Sequence, residues 1–224
     1  MKQYIRYLAV KIFKSLSFYS PLKRYVFYRY PYNFSPPQLI FLCDCIEQTK
    51  ELKGSILEIG CESGNTTVFL NKHMDFLGIE KNYLCIDTFS GFTKNDINYE
   101  VMNRGKEEDK LDGFRVNHKK WFDETIKSNG INRVKSFQAD VSEFDFKETK
   151  LISFCLIDVD LYIPIKAALD KVYPLMAKGG IIVVDDCKQN NLFDGAYKAY
   201  IEFIETHQLP KKIILDKLGI IEIK

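Results

Sequence analysis

From residue 51 onward, short apolar runs alternate with longer stretches whose apolar positions recur every three or four residues. The first kind fits strands and the second helices. Strands are expected over 55–60, 83–87, 134–139, 151–157 and 181–184, and helices over 65–72, 116–127 and 194–205. A further helix opens at Pro164, with Ile165, Leu169, Val172 and Met176 on one face, and the Gly179-Gly180 pair stops it. The ending KIILDKLGIIEIK reads as two strands around a turn at 216–219. Strand–helix alternation with almost wholly apolar strands predicts a mostly parallel α/β sheet, covered on both faces and closed by a C-terminal antiparallel hairpin.

The pattern before residue 51 is different. Residues 1–32 read as one or two amphipathic helices, with Ile5, Leu8, Ile12 and Leu16 at helical spacing and Arg6, Lys11 and Lys14 elsewhere on the wheel. Pro36-Pro37 ends this stretch, and another helix is expected over 38–50. The chain thus divides into an N-terminal helical arm, 1–50, and a larger domain, 51–224.

Charge sharpens that division. The 224 residues carry 32 Lys and Arg against 30 Asp and Glu, which gives no general bias toward polyanions and argues against a nucleic-acid partner. Yet residues 1–43 hold seven basic side chains and no acid, and seven of the 13 tyrosines lie in 1–32. That composition makes the arm a candidate for peripheral contact with a membrane surface; a dimer contact or a cap over the active site are the competing readings. No run reaches the ~18 apolar residues of a membrane span. Lys11 and Lys14 break the first apolar stretch as a signal core. The six cysteines form no CxxC pair, and only three His accompany them, so buried free thiols in a reducing, cytoplasmic compartment are expected rather than a zinc site.

In sheets of this kind ligands bind at the carboxyl ends of the strands. Those ends carry the candidate chemistry. The first runs into EIGCESGNTT, where Gly60 and Gly64 permit a tight turn and close approach of backbone to a ligand; a plain connecting turn is the alternative. The spacing is not GxGxxG, so the dinucleotide fingerprint fails. The fourth and fifth strands end at Asp158 and at Asp185-Asp186. Neighbouring parallel strands place such ends roughly 5 Å apart. Three carboxylates so close repel unless protonated or bridged by a cation, and oxygen-only ligands select a hard ion, Mg²⁺ or else Mn²⁺ or Ca²⁺.

The run Glu58-x-Gly60-x-x-x-Gly64-x-Thr66 resembles the first motif of class I S-adenosylmethionine-dependent methyltransferases, which have a Rossmann-like fold. That resemblance implies a loop, including Ser63, around the methionine end of S-adenosylmethionine. It also implies an acid after the second strand, here Asp87, accepting from the ribose hydroxyls. A polar residue after the third strand, here Asp140, would meet the adenine amino group, although Asp140 can equally cap the turn that follows. The pieces ILEIGCESGNTT, IDTFSGF, LIDVDLYIPIKAALDKVYPLMAKGGIIVVDD and FDGAYKAYIEF, spread over 55–205, are similar to the macrocin O-methyltransferase family of metal-dependent sugar methyltransferases. The resemblance implies Mg²⁺ held by Asp158, Asp185 and Asp186, with Asp158 also the general base. Asp160 and Tyr162 belong to the same motif and read as shaping the loop; His118 is the reserve base. The implied acceptor is a sugar or glycosylated small molecule, or a lipid-linked saccharide. Residues 93–114 depart from the pattern and are expected as a lid over the strand ends. Two other readings compete: a glycosyltransferase using Asp158-Val-Asp160 as a DxD motif, and a non-catalytic membrane-surface protein.

Overall fold

The computed structural model describes residues 2–21, 23–27, 30–146, 149 and 151–224. The expectation for the arm therefore touches Met1, Leu22, Tyr28 and Arg29, which lie outside the described residues. The chain forms two compact units, 1–33 and 34–224, so the boundary falls well before the expected division at residue 50.

The smaller unit carries α1 (Lys2–Phe18) and α2 (Lys23–Phe27). Ser17 O accepts from Ser20 N and Ser20 Oγ, and the Phe18 ring meets Phe27 edge-on at 5.8 Å with the Lys23 ammonium 4.2 Å above it. These contacts hold the bend between the two helices.

The larger unit begins with α3 (Pro36–Gln48). Pro36 and Pro37 fill the first turn, where a missing N–H costs nothing, and Gln38 reaches back to Ser35 N at 2.7 Å. Then follow β1 (Ser55–Ile59), α4 (Asn65–Leu77), β2 (Tyr83–Asp87), α5 (Lys94–Arg104), α6 (Lys119–Ser128), β3 (Val134–Gln138), β4 (Ile152–Ile157), α7 (Tyr162–Val172), β5 (Met176–Val184), α8 (Gly195–Thr206), β6 (Ile213–Ile214) and β7 (Leu218–Glu222). The strands form one sheet in the order β3-β2-β1-β4-β5-β7-β6, parallel except for the C-terminal hairpin, where β7 runs antiparallel to β5 and β6.

Chain order reverses between β1 and β4, and the switch point lies at the carboxyl ends of those strands. On one face Leu57, Ile59, Cys155, Ile157, Ile182 and Val184 pack with α7 and α8. Strand alternation turns Ile56, Glu58, Phe154 and Leu156 to the other face, where α4 lies. β4 is buried at every residue, as a central strand covered on both sides should be. All six cysteines are buried free thiols.

One expectation is corrected here. The helix after β4 ends at Val172, ahead of Pro174. Met176 and the Gly179-Gly180 pair therefore belong to β5, which is bulged so that Met176 pairs with Ile152 and Ile181 with Phe154. Within 93–114, the segment expected as a lid, lie a helix, α5, and a short 3₁₀ turn at Glu108–Leu111.

Candidate active site

Every strand end at the switch point bends sharply. Gly60 and Gly64 have φ of +85° and +86°, and Glu62, Phe89, Asp160 and Asp186 adopt left-handed backbone with φ between 45° and 58°. Such residues cost about a kcal/mol each and persist where surrounding contacts hold them.

The glycines are explained by the protein itself. A Cβ on Gly60 would lie 1.8 Å from Asp158 O, so the first loop passes directly over the backbone that follows β4. A Cβ on Gly64 would press on the Phe122 ring at 3.1 Å. Close approach here is to the chain's own backbone and core. Phe122 in turn packs on Phe89, ring centroids 5.3 Å apart, which accounts for the first Phe of IDTFSGF.

Asp87 is tied to the same loop. Its Oδ2 accepts from Cys61 N at 2.9 Å and Glu62 N at 2.8 Å, and its Oδ1 from Phe89 N at 2.6 Å. Burial pushes its carboxyl up, against these three bonds. Asp87 is half-buried at the end of β2, and most of its acceptor capacity serves to fix the loop.

Glu58 stands beneath that loop, 1% exposed, with Oε2 accepting from Thr67 Oγ1 and Tyr83 OH, each at 2.7 Å. In this structure it ties β1, β2 and α4 together and does not face the opening, unlike the cofactor contact expected of it. Burial raises its carboxyl to about 7 despite both bonds. Ser63 Oγ meets Glu62 and Asn65, and Thr66 lies half-buried in the first turn of α4. Asp140 Oδ1 accepts from Ser142 N at 2.8 Å, the turn-capping role.

The acidic residues converge as the strand register requires. Asp158 N donates to Ile59 O and Asp185 N to Ile157 O, which places Asp158 and Asp185 at neighbouring strand ends. Burial first, then the Asp185 and Asp160 charges, push the Asp158 carboxyl well up; burial and Asp186 do the same to Asp160. Both keep part of their surface open. The Asp186 and Asp185 charges act on Asp160, which therefore stands inside the cluster and not only in the loop it is expected to shape. Asp185 is 2% exposed, and burial lifts its carboxyl to about 6.

A residue that sequence reasoning missed completes the group. Lys217, from the turn between β6 and β7, donates to Asp185 Oδ2 at 2.6 Å and Asp186 Oδ1 at 3.2 Å. Asp185 Oδ1 is buried without a partner among the described residues. No three acidic, His or Cys side chains among those residues form a ready-made ion cage. The donor set nevertheless suits a hard cation: it is all oxygen, carries more negative charge than Lys217 offsets, and includes that unmatched buried atom. His118 is exposed and its Nδ1 caps α6 by accepting from Lys120 N.

Above the strand ends, α5 is fastened at both sides. Glu100, 1% exposed, accepts from Tyr162 N at the start of α7 and pairs with Arg104 at 2.7 Å. Arg104 and Lys106 both reach Asp194 at the start of α8. The Tyr99 and Tyr162 rings stack at 5.1 Å, which gives the motif tyrosine a packing role. Asp96 on the same helix is buried with Oδ1 unmatched among the described residues. Neither it nor Glu100 betrays itself in the sequence.

The family model described as macrocin O-methyltransferase (TylF) matches residues 38–221. The chain belongs to the macrocin O-methyltransferase family. It is an O-methyltransferase, and the glycosyltransferase and non-catalytic readings fall away. Among solved structures, the calicheamicin methyltransferase CalS11 superposes with a TM-score of 0.68 at 18% identity, over 93% of this chain and 88% of that one. The O-methyltransferase NovP gives 0.68 at 14% identity, over 83% and 79%. A methyltransferase from Streptococcus mutans in complex with SAH gives 0.53 at 14%, over 84% and 98%. At such identities these show a shared fold, the Rossmann-like class I methyltransferase fold. No curated protein matches the sequence.

Proposed function

We propose that this family member is an S-adenosylmethionine- and Mg²⁺-dependent O-methyltransferase whose acceptor is a hydroxyl of a sugar or a glycosylated small molecule. One observation carries the metal-dependent reading: carboxylates gathered at the ends of β4 and β5, beside the glycine turn of β1, with Asp185 Oδ1 buried and unmatched. The family and the CalS11 structure described as a TDP-rhamnose 3'-O-methyltransferase support a sugar acceptor.

S-adenosylmethionine supplies a methyl group on a sulfonium, which a hydroxyl oxygen displaces. Asp158, Asp185 and Asp186 would hold the ion, whose positive charge favours an ionised acceptor oxygen nearby. The turn through Gly60, Ser63, Gly64 and Thr66 would carry the methionine end, with Asp87 fixing its backbone and offering its remaining acceptor capacity to the ribose. Asp158, partly open at the end of β4, would take the proton of the acceptor hydroxyl. α5, clamped to α7 and α8, excludes water from above.

A screen of sugar acceptors with methyl-labelled S-adenosylmethionine, with and without chelator, tests this reading. Transfer to a sugar hydroxyl that stops in chelator and returns with Mg²⁺ is expected. Transfer undiminished in chelator removes the metal from the proposal, and transfer only to non-sugar hydroxyls removes the sugar.

A further inference from the structure

The function just proposed makes no use of the N-terminal unit, although α1 has a distinctive surface. Its 17 residues form nearly five turns. Ile5, Leu8, Ile12, Phe13 and Leu16 share one face at helical spacing, and they are exposed by 60%, 45%, 51%, 58% and 69%. A side chain such as Leu16 left that open on an ordered helix forgoes most of the gain from burial. Arg6, Lys11 and Lys14 lie off this stripe, all exposed, and Tyr4, Tyr7 and Tyr19 are exposed beside them.

The charge pattern says what kind of surface covers the stripe. Residues 1–43 contain seven cations and no acid. Two such arms laid together would bring like charges alongside one another with no acid of the arm to pair them. A surface that is apolar within and anionic at its rim matches the helix on both counts. α1 would lie on such a surface and not cross it, for no helix among the described residues is long and apolar enough to span a membrane. Tyrosines, with an apolar ring and a polar tip, settle at the same depth.

We propose that α1 is an interfacial helix that docks this enzyme on an anionic lipid surface, with Ile5, Leu8, Ile12, Phe13 and Leu16 in the acyl boundary and Arg6, Lys11 and Lys14 among the headgroups. An acceptor carried on a lipid would then be met where it resides.

Sedimentation of the full chain with vesicles tests this directly. The wild type should pellet with phosphatidylcholine vesicles containing phosphatidylglycerol, but not with phosphatidylcholine alone, and high salt should release it. Lys11→Glu with Lys14→Glu should weaken binding about 25-fold or more, since each basic residue near an anionic surface contributes about fivefold. Ile12→Asp should abolish it. Because these side chains are exposed, all variants should keep the wild-type melting temperature and S-adenosylmethionine affinity. Absence of wild-type binding, or equal binding to neutral vesicles, overturns the proposal. So does a wild-type dimer that Ile12→Asp dissociates while no vesicle binding is seen, for then a second copy covers the stripe.

Discussion

Lys217 donates to Asp185 across 2.6 Å although 32 positions separate them, and the same ammonium reaches Asp186 at 3.2 Å. The lysine side chain is 18% exposed and the aspartate side chain 3%. A fixed ammonium at that spot lowers the negative potential that a divalent ion would feel, so the two cations compete for Asp185 and Asp186. Lys217→Gln should therefore bind Mg²⁺ on the order of tenfold tighter by calorimetry. In chelator the same variant should lose about 3 kcal/mol of stability, because Asp185 is left buried without a counter-charge. Lys217→Arg should resemble wild type in both. Mg²⁺ affinity unchanged or weaker in Lys217→Gln would mean that the lysine orients the carboxylates without competing.

The two glycines of the first loop should differ sharply. Gly60→Ala drives a Cβ into Asp158 O, backbone against backbone, and should prevent folding or cost several kcal/mol. Gly64→Ala presses only on the edge of the Phe122 ring at 3.1 Å, in addition to about 1 kcal/mol for the left-handed backbone. It should fold, with a lowered melting temperature. Urea denaturation of both variants checks the order, and equal losses would contradict the packing described.

Glu58 makes stability depend on pH. Its folded carboxyl is raised to about 7 from an ordinary 4.5, so between those values the folded chain binds a proton that the unfolded chain has released. Stability is then greatest below the unfolded value and falls as pH rises through the folded one, by about 3 kcal/mol in all. Glu58→Gln retains an acceptor for Thr67 and Tyr83 and cannot ionise. Its melting temperature should fall less than that of wild type between pH 5 and pH 8 in buffers of matched ionic strength. Parallel curves would show that Glu58 stays ionised in the fold.

What the sequence reveals and conceals follows from where partners lie. β2 reads off directly as 83–87, because five residues of strand composition end in an acid at a turn. That Asp158 and Asp185 stand at neighbouring strand ends is equally legible, since parallel strands of similar length must end side by side. α5 is not legible: its buried residues are Asp96, Ile97 and Glu100, so it shows no apolar period, and it is held by Tyr162 and Asp194, far along the chain. Lys217 is hidden for the same reason, an ordinary lysine in a hairpin turn until the sheet brings it to β5. The start of β5 was misplaced because a glycine pair that stops a helix and one that bulges a strand look alike.

The clamp on α5 gives a further prediction. Arg104→Met removes the partner of Glu100, which is 1% exposed, and one of the cations on Asp194. A buried acid left unpaired costs about 3–5 kcal/mol, here within the segment over the strand ends. Limited proteolysis should cut between 104 and 115 about a hundredfold faster or more, the factor that about 3 kcal/mol implies, while the sheet stays protected. Cleavage at the wild-type rate would show that the stacked Tyr99 and Tyr162 rings suffice to hold the segment down.

The acid cluster contains two candidates for the base, and they can be told apart. Asp158 and Asp160 are both raised by burial and by neighbouring carboxylates, and both are partly open. They differ in their neighbours, for Asp185 is the charge that bears most on Asp158 and Asp186 the one that bears most on Asp160. Asp160→Asn removes a charge beside Asp186 but leaves Asp158, Asp185 and Asp186 in place, so it should reduce turnover only modestly. Asp185→Asn and Asp186→Asn each remove a negative charge but keep a carbonyl oxygen, so excess Mg²⁺ should restore part of their rate. Asp158→Asn cannot accept the hydroxyl proton, and no concentration of Mg²⁺ should restore it. Single-turnover methyl transfer, with S-adenosylmethionine affinity measured in parallel to show an intact loop, separates these cases. Should Asp160→Asn be the variant that Mg²⁺ fails to rescue, while Asp158→Asn recovers, the proton goes to Asp160 and Asp158 serves only to hold the ion.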